Sequence, residues 1–122
     1  MTVKYMLLIN NNPATLEALS EDQRTALMTE VDDLMSELAR TGELVGGEAL
    51  ADASHSKTVR VRGGVPATTD GPFVEAKEYL AGYLIIDAEN VERAVEIAAR
   101  WPDAQYGAME VRPIMDAAGL EM

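Results

Sequence analysis

At 122 residues, 48% hydrophobic and 25% charged, the chain has the length and composition of one folded domain. A domain of this size buries roughly 60–70% of the surface its unfolded chain exposes, which is enough for one core. A formal net charge of −11 argues against nucleic acid and anionic membranes, because both draw affinity from clustered Lys and Arg.

There is no Cys, hence no disulfide, thiolate catalysis or zinc–thiolate site. The start, Met1-Thr2-Val3-Lys4-Tyr5, lacks a signal-peptide pattern, and no apolar run nears the roughly 18 residues of a membrane helix, so a cytoplasmic location is expected. Five Pro and nine Gly are dispersed, and residues 1–122 read as one domain without a linker.

Val3 to Ile9 is a nearly unbroken apolar run closed by Asn10-Asn11-Asn12-Pro13, which predicts a strand. Ser20-Glu21-Asp22-Gln23 reads as a capping box, and Leu27, Val31, Leu34, Met35, Leu38 and Ala39 follow at helical spacing to a stop at Thr41-Gly42. The first helix is therefore expected over about 21–40. Leu44 to Leu50 predicts a second strand, whose Gly46-Gly47 pair signals a bulge or a close backbone approach.

Lys57 to Arg62 alternates, with Val59 and Val61 on one face and Arg60 and Arg62 on the other. Gly63-Gly64 turns the chain, and Pro66 to Thr69 can pair back as a hairpin. Tyr79 to Ile86 is the longest apolar strand. Asp87 or Asn90 can cap a second helix carrying Val91, Ala94, Val95, Ala98 and Trp101 and ending at Pro102, and Tyr106 to Pro113 predicts the last strand. The short acidic tail from Met115 onward has no assigned element.

This order is that of a ferredoxin-like α+β sandwich, βαββαβ, with an extra central hairpin. Two helices cover one face of the sheet. Yet Tyr5 to Ile9 and Tyr83 to Ile86 are apolar at successive positions, so both faces need cover. A two-fold partner sheet would supply it, giving a dimeric α/β barrel with an inter-sheet cleft as the natural ligand site. In a monomer, the C-terminal tail or the middle loop would have to cover that face instead.

Between the hairpin and the longest strand, Thr68 to Glu78 is expected to be loop, and it holds Asp70-Gly71-Pro72 and the chain's only Phe, Phe73, followed by Glu75, Lys77 and Glu78. Asp70-Gly71-Pro72-Phe73, Glu75, Lys77-Glu78 and Gly82 resemble the signature of the YCII-related superfamily in its DGPF-domain branch. Gly42, Gly46-Gly47-Glu48, Leu50, Thr58-Val59-Arg60, Pro102, Tyr106-Gly107 and Glu110 to Pro113 match the same pattern over nearly the whole chain, while Ala76 stands where the pattern has Thr.

The resemblance implies a ferredoxin-like subunit that forms a homodimer. Relatives outside this branch resemble enzymes with a His-Asp pair whose His lies near the start of the first helix. Here that helix has no His, and the only one, His55, lies in a polar loop. DGPF-branch proteins are also associated, by family, with extracytoplasmic-function sigma factors.

Asp70 either fixes its own turn through backbone hydrogen bonds or, held rigid at a cleft, serves as a general base or polar anchor. Gly71, Pro72 and Phe73 read as structural. Glu48, Arg60, Glu75, Lys77, Glu78 and Arg112 are candidate ligand-binding groups: Lys77 for an anion, Arg60 and Arg112 for clamping a carboxylate or for pairing with Glu48, Glu78 or Asp70. No metal-site spacing or phosphate loop is visible, and no cofactor is expected.

Three functions follow from these residues. The first is a cofactor-free acid–base enzyme acting on a small polar metabolite. The others are a non-catalytic ligand-binding or regulatory module, and a motif that serves only the fold and dimer.

Overall fold

The structure, a computed structural model, describes residues 2–116, 118 and 119. Strand β1 (Val3–Asn11) and β5 (Tyr79–Ala88) pair antiparallel at the centre, flanked by β2 (Leu44–Ala49) and β6 (Gly107–Pro113) in the order β2-β5-β1-β6. Helix α2 (Glu21–Thr41) connects β1 to β2, and α3 (Val91–Arg100) with the short α4 (Asp103–Tyr106) connects β5 to β6. The fold is mixed α+β in the expected ferredoxin-like order. Strands β3 (Lys57–Arg62) and β4 (Val65–Asp70) form a separate two-stranded sheet, the expected extra hairpin, turned by Gly63-Gly64 with both φ angles positive.

Strand alternation builds the core. Tyr5, Leu7 and Ile9 of β1 and Leu84, Ile86 and Ala88 of β5 are buried on one face, against Leu34 and Leu38 of α2 and Ala94, Ile97, Ala98 and Trp101 of the α3 segment. Burying each of the larger of these side chains contributes roughly 1.5–3 kcal/mol. On the opposite face, Met6, Leu8, Tyr83 and Ile85 are only half-buried.

Local signals fix the helix ends. The Ser20 hydroxyl accepts from the Gln23 amide at 3.1 Å while the Gln23 side chain accepts from the Ser20 amide at 2.8 Å, the reciprocal box expected. Of the two candidate caps for α3 it is Asn90 that serves, accepting from the Arg93 amide at 2.9 Å, because Asp87 still lies within β5.

Several boundaries depart from expectation. Strand β1 runs two residues beyond Ile9, and Asn12 caps a short unexpected helix, α1 (Pro13–Glu17), by accepting from the Ala14 amide at 3.0 Å. Pro13 thus starts a helix where the sequence reads as a stop, since the first helical position needs no amide hydrogen. Tyr106 ends α4 and does not open β6. A 3-10 turn at Ala53–His55 and the start of β4 at Val65 are likewise additions. The register shift between β2 and β5 falls just ahead of Gly46-Gly47, between Leu44 and Gly46, while Gly47 is a close approach where a Cβ would lie 2.4 Å from the Tyr83 carbonyl oxygen. Gly82 marks a close approach, since a Cβ there would lie 2.7 Å from the Glu48 carbonyl oxygen. Cover of the open face by the tail is an expectation that falls partly on residues 117 and 120–122, outside the described residues. Among the described residues no helix is long and apolar enough to cross a membrane.

One ion pair binds the layers together. Arg93 of α3 grips Glu43, in the α2–β2 link, through two bonds of 2.8 Å, with both side chains mostly shielded from water. The Arg93 guanidinium, helped by the Thr41 hydroxyl, holds the Glu43 carboxyl below its ordinary 4.5 against the opposing effect of burial. A depressed carboxyl pKa adds stability above the unfolded value that is lost as pH falls through the folded one. Glu43→Gln should therefore lose about 1–2 kcal/mol at neutral pH in urea unfolding, and its gap to the wild type should close progressively below pH 4.5.

Candidate functional site

The Asp-Gly-Pro-Phe segment is built onto strand β3. Register pairs Lys57 with Asp70 and Thr58 with Thr69, so Asp70 is the last residue of β4 and does not lie in a loop as expected. Its carboxylate forms an ion pair with Lys57 Nζ. Capping of its own turn is therefore not its contact; the nearest cross-strand cation takes that place.

Gly71 then leaves the ladder at φ +92°, a conformation open to glycine, with its amide donating to the Ser56 carbonyl at 2.7 Å and its carbonyl accepting from the Thr58 hydroxyl at 2.8 Å. Beyond Pro72 the Phe73 ring lies under the Arg60 guanidinium, 4.6 Å from its centroid. The Tyr79 hydroxyl closes the loop by accepting from the Ala76 amide at 3.0 Å.

Alternation separates the candidates. Lys57, Val59, Thr68 and Asp70 share one face of the hairpin, while Thr58, Arg60, Ala67 and Thr69 share the other. Arg60 therefore cannot pair with Asp70 across the ladder and stacks on Phe73 instead. Arg112 pairs with Glu110 of its own strand at 2.6 Å and not with Glu48, Glu78 or Asp70. Glu48, Glu75, Lys77 and Glu78 are exposed. The Asp70 side chain is itself 82% accessible within one protomer.

On the open sheet face, register aligns Glu48, Tyr83, Leu8 and Glu110 in one row across β2, β5, β1 and β6, and Ile85, Met6 and Arg112 in the next. The face thus has an apolar centre and a charged rim. Near one end of the sheet, a groove of about 410 Å³ brings Pro72 together with Asp52, His55, Tyr79 and Leu80. The Ser54 hydroxyl and amide bond Asp52 at 2.6 and 3.0 Å and hold its carboxyl below the usual range.

Sequence reasoning set His55 aside as a loop residue. Nothing local signals its place, because the Gly71–Ser56 hydrogen bond carries Pro72 to it across the hairpin. The groove offers a charged acceptor, an imidazole and a phenol edge to a small polar molecule. Among the described residues, no three His, Asp or Glu side chains are grouped to hold a metal.

Comparison with known proteins adds two findings. The YCII-related domain profile matches residues 3–118. An uncharacterised protein of Rhizobium meliloti (strain 1021) is 28% identical over 112 residues, covering 90% of this chain and 90% of its own length.

Because the Lys57–Asp70 pair is exposed on both sides, at 67% and 82%, it should contribute little to stability. Asp70→Asn is expected to change the urea unfolding free energy by less than about 1 kcal/mol. Placing a Cβ at this positive φ matters more: Gly71→Ala should raise hydrogen exchange across the β3–β4 amides while leaving β1 and β5 protected.

Proposed function

The chain belongs to the YCII-related family, and from that membership we propose that it works as a homodimer, a dimeric α/β barrel that binds a small polar ligand between the protomers. The observation that carries this reading is the open sheet face, where Met6, Leu8, Tyr83 and Ile85 form an apolar block left half-buried. Two such faces packed about a two-fold axis would exclude water from both, and a stable interface of about 800 Å² per partner is within reach of a sheet this size.

The hairpin supports the same reading. An isolated two-stranded sheet is marginal in water, yet β3–β4 pairs only with itself and leaves Val59, Val61, Val65 and Phe73 more than half exposed. A partner would cover these side chains and would bring Asp70 and the Asp52–His55–Pro72 groove to the border of the inter-sheet cleft.

At that border the Asp70 carboxylate would stand within reach of a bound molecule as a general base, which is what a cofactor-free acid–base reaction on a polar metabolite requires. A non-catalytic ligand-binding or regulatory module would use the same groups without turnover. A specific observation favours a structural role as well: Lys57, Ser56, Thr58 and Arg60 each engage the motif, tying it to β3.

Native mass spectrometry should give twice the 13.2 kDa chain mass, together with any retained small molecule. Phe73→Ala should weaken the dimer by about tenfold or more while leaving the helical signal of the protomer intact. A monomeric wild type would overturn the dimer, and a dimeric Phe73→Ala variant of unchanged affinity would remove Phe73 from the interface. With a retained ligand identified, turnover lost in Asp70→Asn but binding kept marks an enzyme, whereas binding without product in the wild type marks a module.

A further inference from the structure

On the helix side of the sheet, away from the face assigned above to the dimer, a cleft of about 480 Å³ lies between the N-terminal half of α2 and the strands. Its volume falls within the roughly 300–1,000 Å³ of small-molecule sites. The sequence makes this space. Only Leu34 and Leu38 of α2 are fully buried, in its second half. Beside them Leu27, Val31 and Met35 face a floor made of Gly47, Ala49 and Gly82, which carry no side chain larger than a methyl group. The close approach of β2 to β5 keeps that floor bare, because any Cβ at Gly82 would strike the β2 backbone.

The walls are apolar, but the charged groups that line them are all of one sign. Asp32 and Asp103 border the cleft, the Glu48 side chain lies on the other face of the sheet, and among the described residues no Lys, Arg or His lines it. Asp103 is only 9% exposed, and its carboxylate accepts from the Trp101 indole N–H at 3.0 Å. The indole N–H takes one of the roughly four acceptor sites of the carboxylate, so the group can accept further donors. A cationic group entering the cleft would add a charge-assisted hydrogen bond there, whereas an anion would meet two like charges.

The geometry points to this cleft as a binding site for an amphipathic organic cation, an amine on an apolar body. The body lies between Leu27, Val31 and Met35 and the Gly47–Gly82 floor, and the ammonium lies at Asp103. Met35 suits such a wall because its unbranched side chain adapts to irregular shapes.

Trp101 is the chain's only Trp and lines the cleft, so its fluorescence reports occupancy. The intact protein is titrated at neutral pH with n-octylamine, n-octanol and octanoate. Saturable quenching or shift is expected with octylamine, at least about tenfold tighter than with either other probe, the margin one charge-assisted hydrogen bond supplies. Asp103→Asn, which keeps an acceptor for the indole, should erase the preference of octylamine over octanol. Val31→Phe, which fills the cleft without adding a Trp, should abolish binding and hold or raise the Tm.

Equal binding of octylamine and octanol by the wild type overturns the cation assignment, and unimpaired octylamine binding by Val31→Phe overturns the cleft as the site. Should Asp103→Asn fail to fold, Asp32→Asn must weaken octylamine relative to octanol, and an unchanged ratio overturns the role given to the acidic lining.

Discussion

Everything in this fold follows from the antiparallel pairing of β1 with β5, which runs from Val3–Ala88 to Asn11–Tyr79. The two strands are apolar on both faces, and their pairing sends Tyr5, Leu7, Ile9, Leu84 and Ile86 one way and Met6, Leu8, Tyr83 and Ile85 the other. The helices satisfy the first set. The second set stays half-buried on the open face, and the same register decides which charged residues ring that face. A single-residue slip of either strand would exchange the two sets and bury Lys4 and Asp87 in place of the core.

Long-period features were legible in the sequence because each rests on a local rule. The capping box at Ser20–Gln23, the leucine spacing of α2 and the alternation of β3 all appear where composition placed them. What was not legible depends on pairs far apart in the chain. Asp70 meets Lys57 and not its own turn, and Arg60 and Asp70 fall on opposite faces, only once the β3–β4 register is fixed. Pro72 reaches His55 for the same reason. Helices α1 and α4 are too short to show a period, and the cleft beside Gly47 and Gly82 is invisible in sequence, where those glycines announce only a close approach.

The distribution of cations constrains any ligand. In a chain with twice as many acids as bases, Lys4, Lys57, Arg93, Arg100 and Arg112 are committed to Asp87, Asp70, Glu43 and Glu96, Glu37 and Glu110, and Arg60 to an aromatic ring. Arg24 donates to carbonyls at the end of α1. Arg40, Arg62 and Lys77 are the remaining cations, and none of them borders the groove at Pro72 or the cleft at Asp103, whose carboxylates favour neutral or positively charged molecules. The acidity that argues against nucleic acid also shapes what small molecules the surface admits.

The hairpin β3–β4 shares no ladder with the main sheet, and the bonds from Gly71 to Ser56 and Thr58 close the hairpin on itself. Its folding is therefore energetically separable from that of the core: the arm can open and reclose without disturbing β1 and β5. The motif that most clearly marks the sequence thus resides on an arm outside the main sheet, so a change of order there would leave the hydrophobic centre untouched.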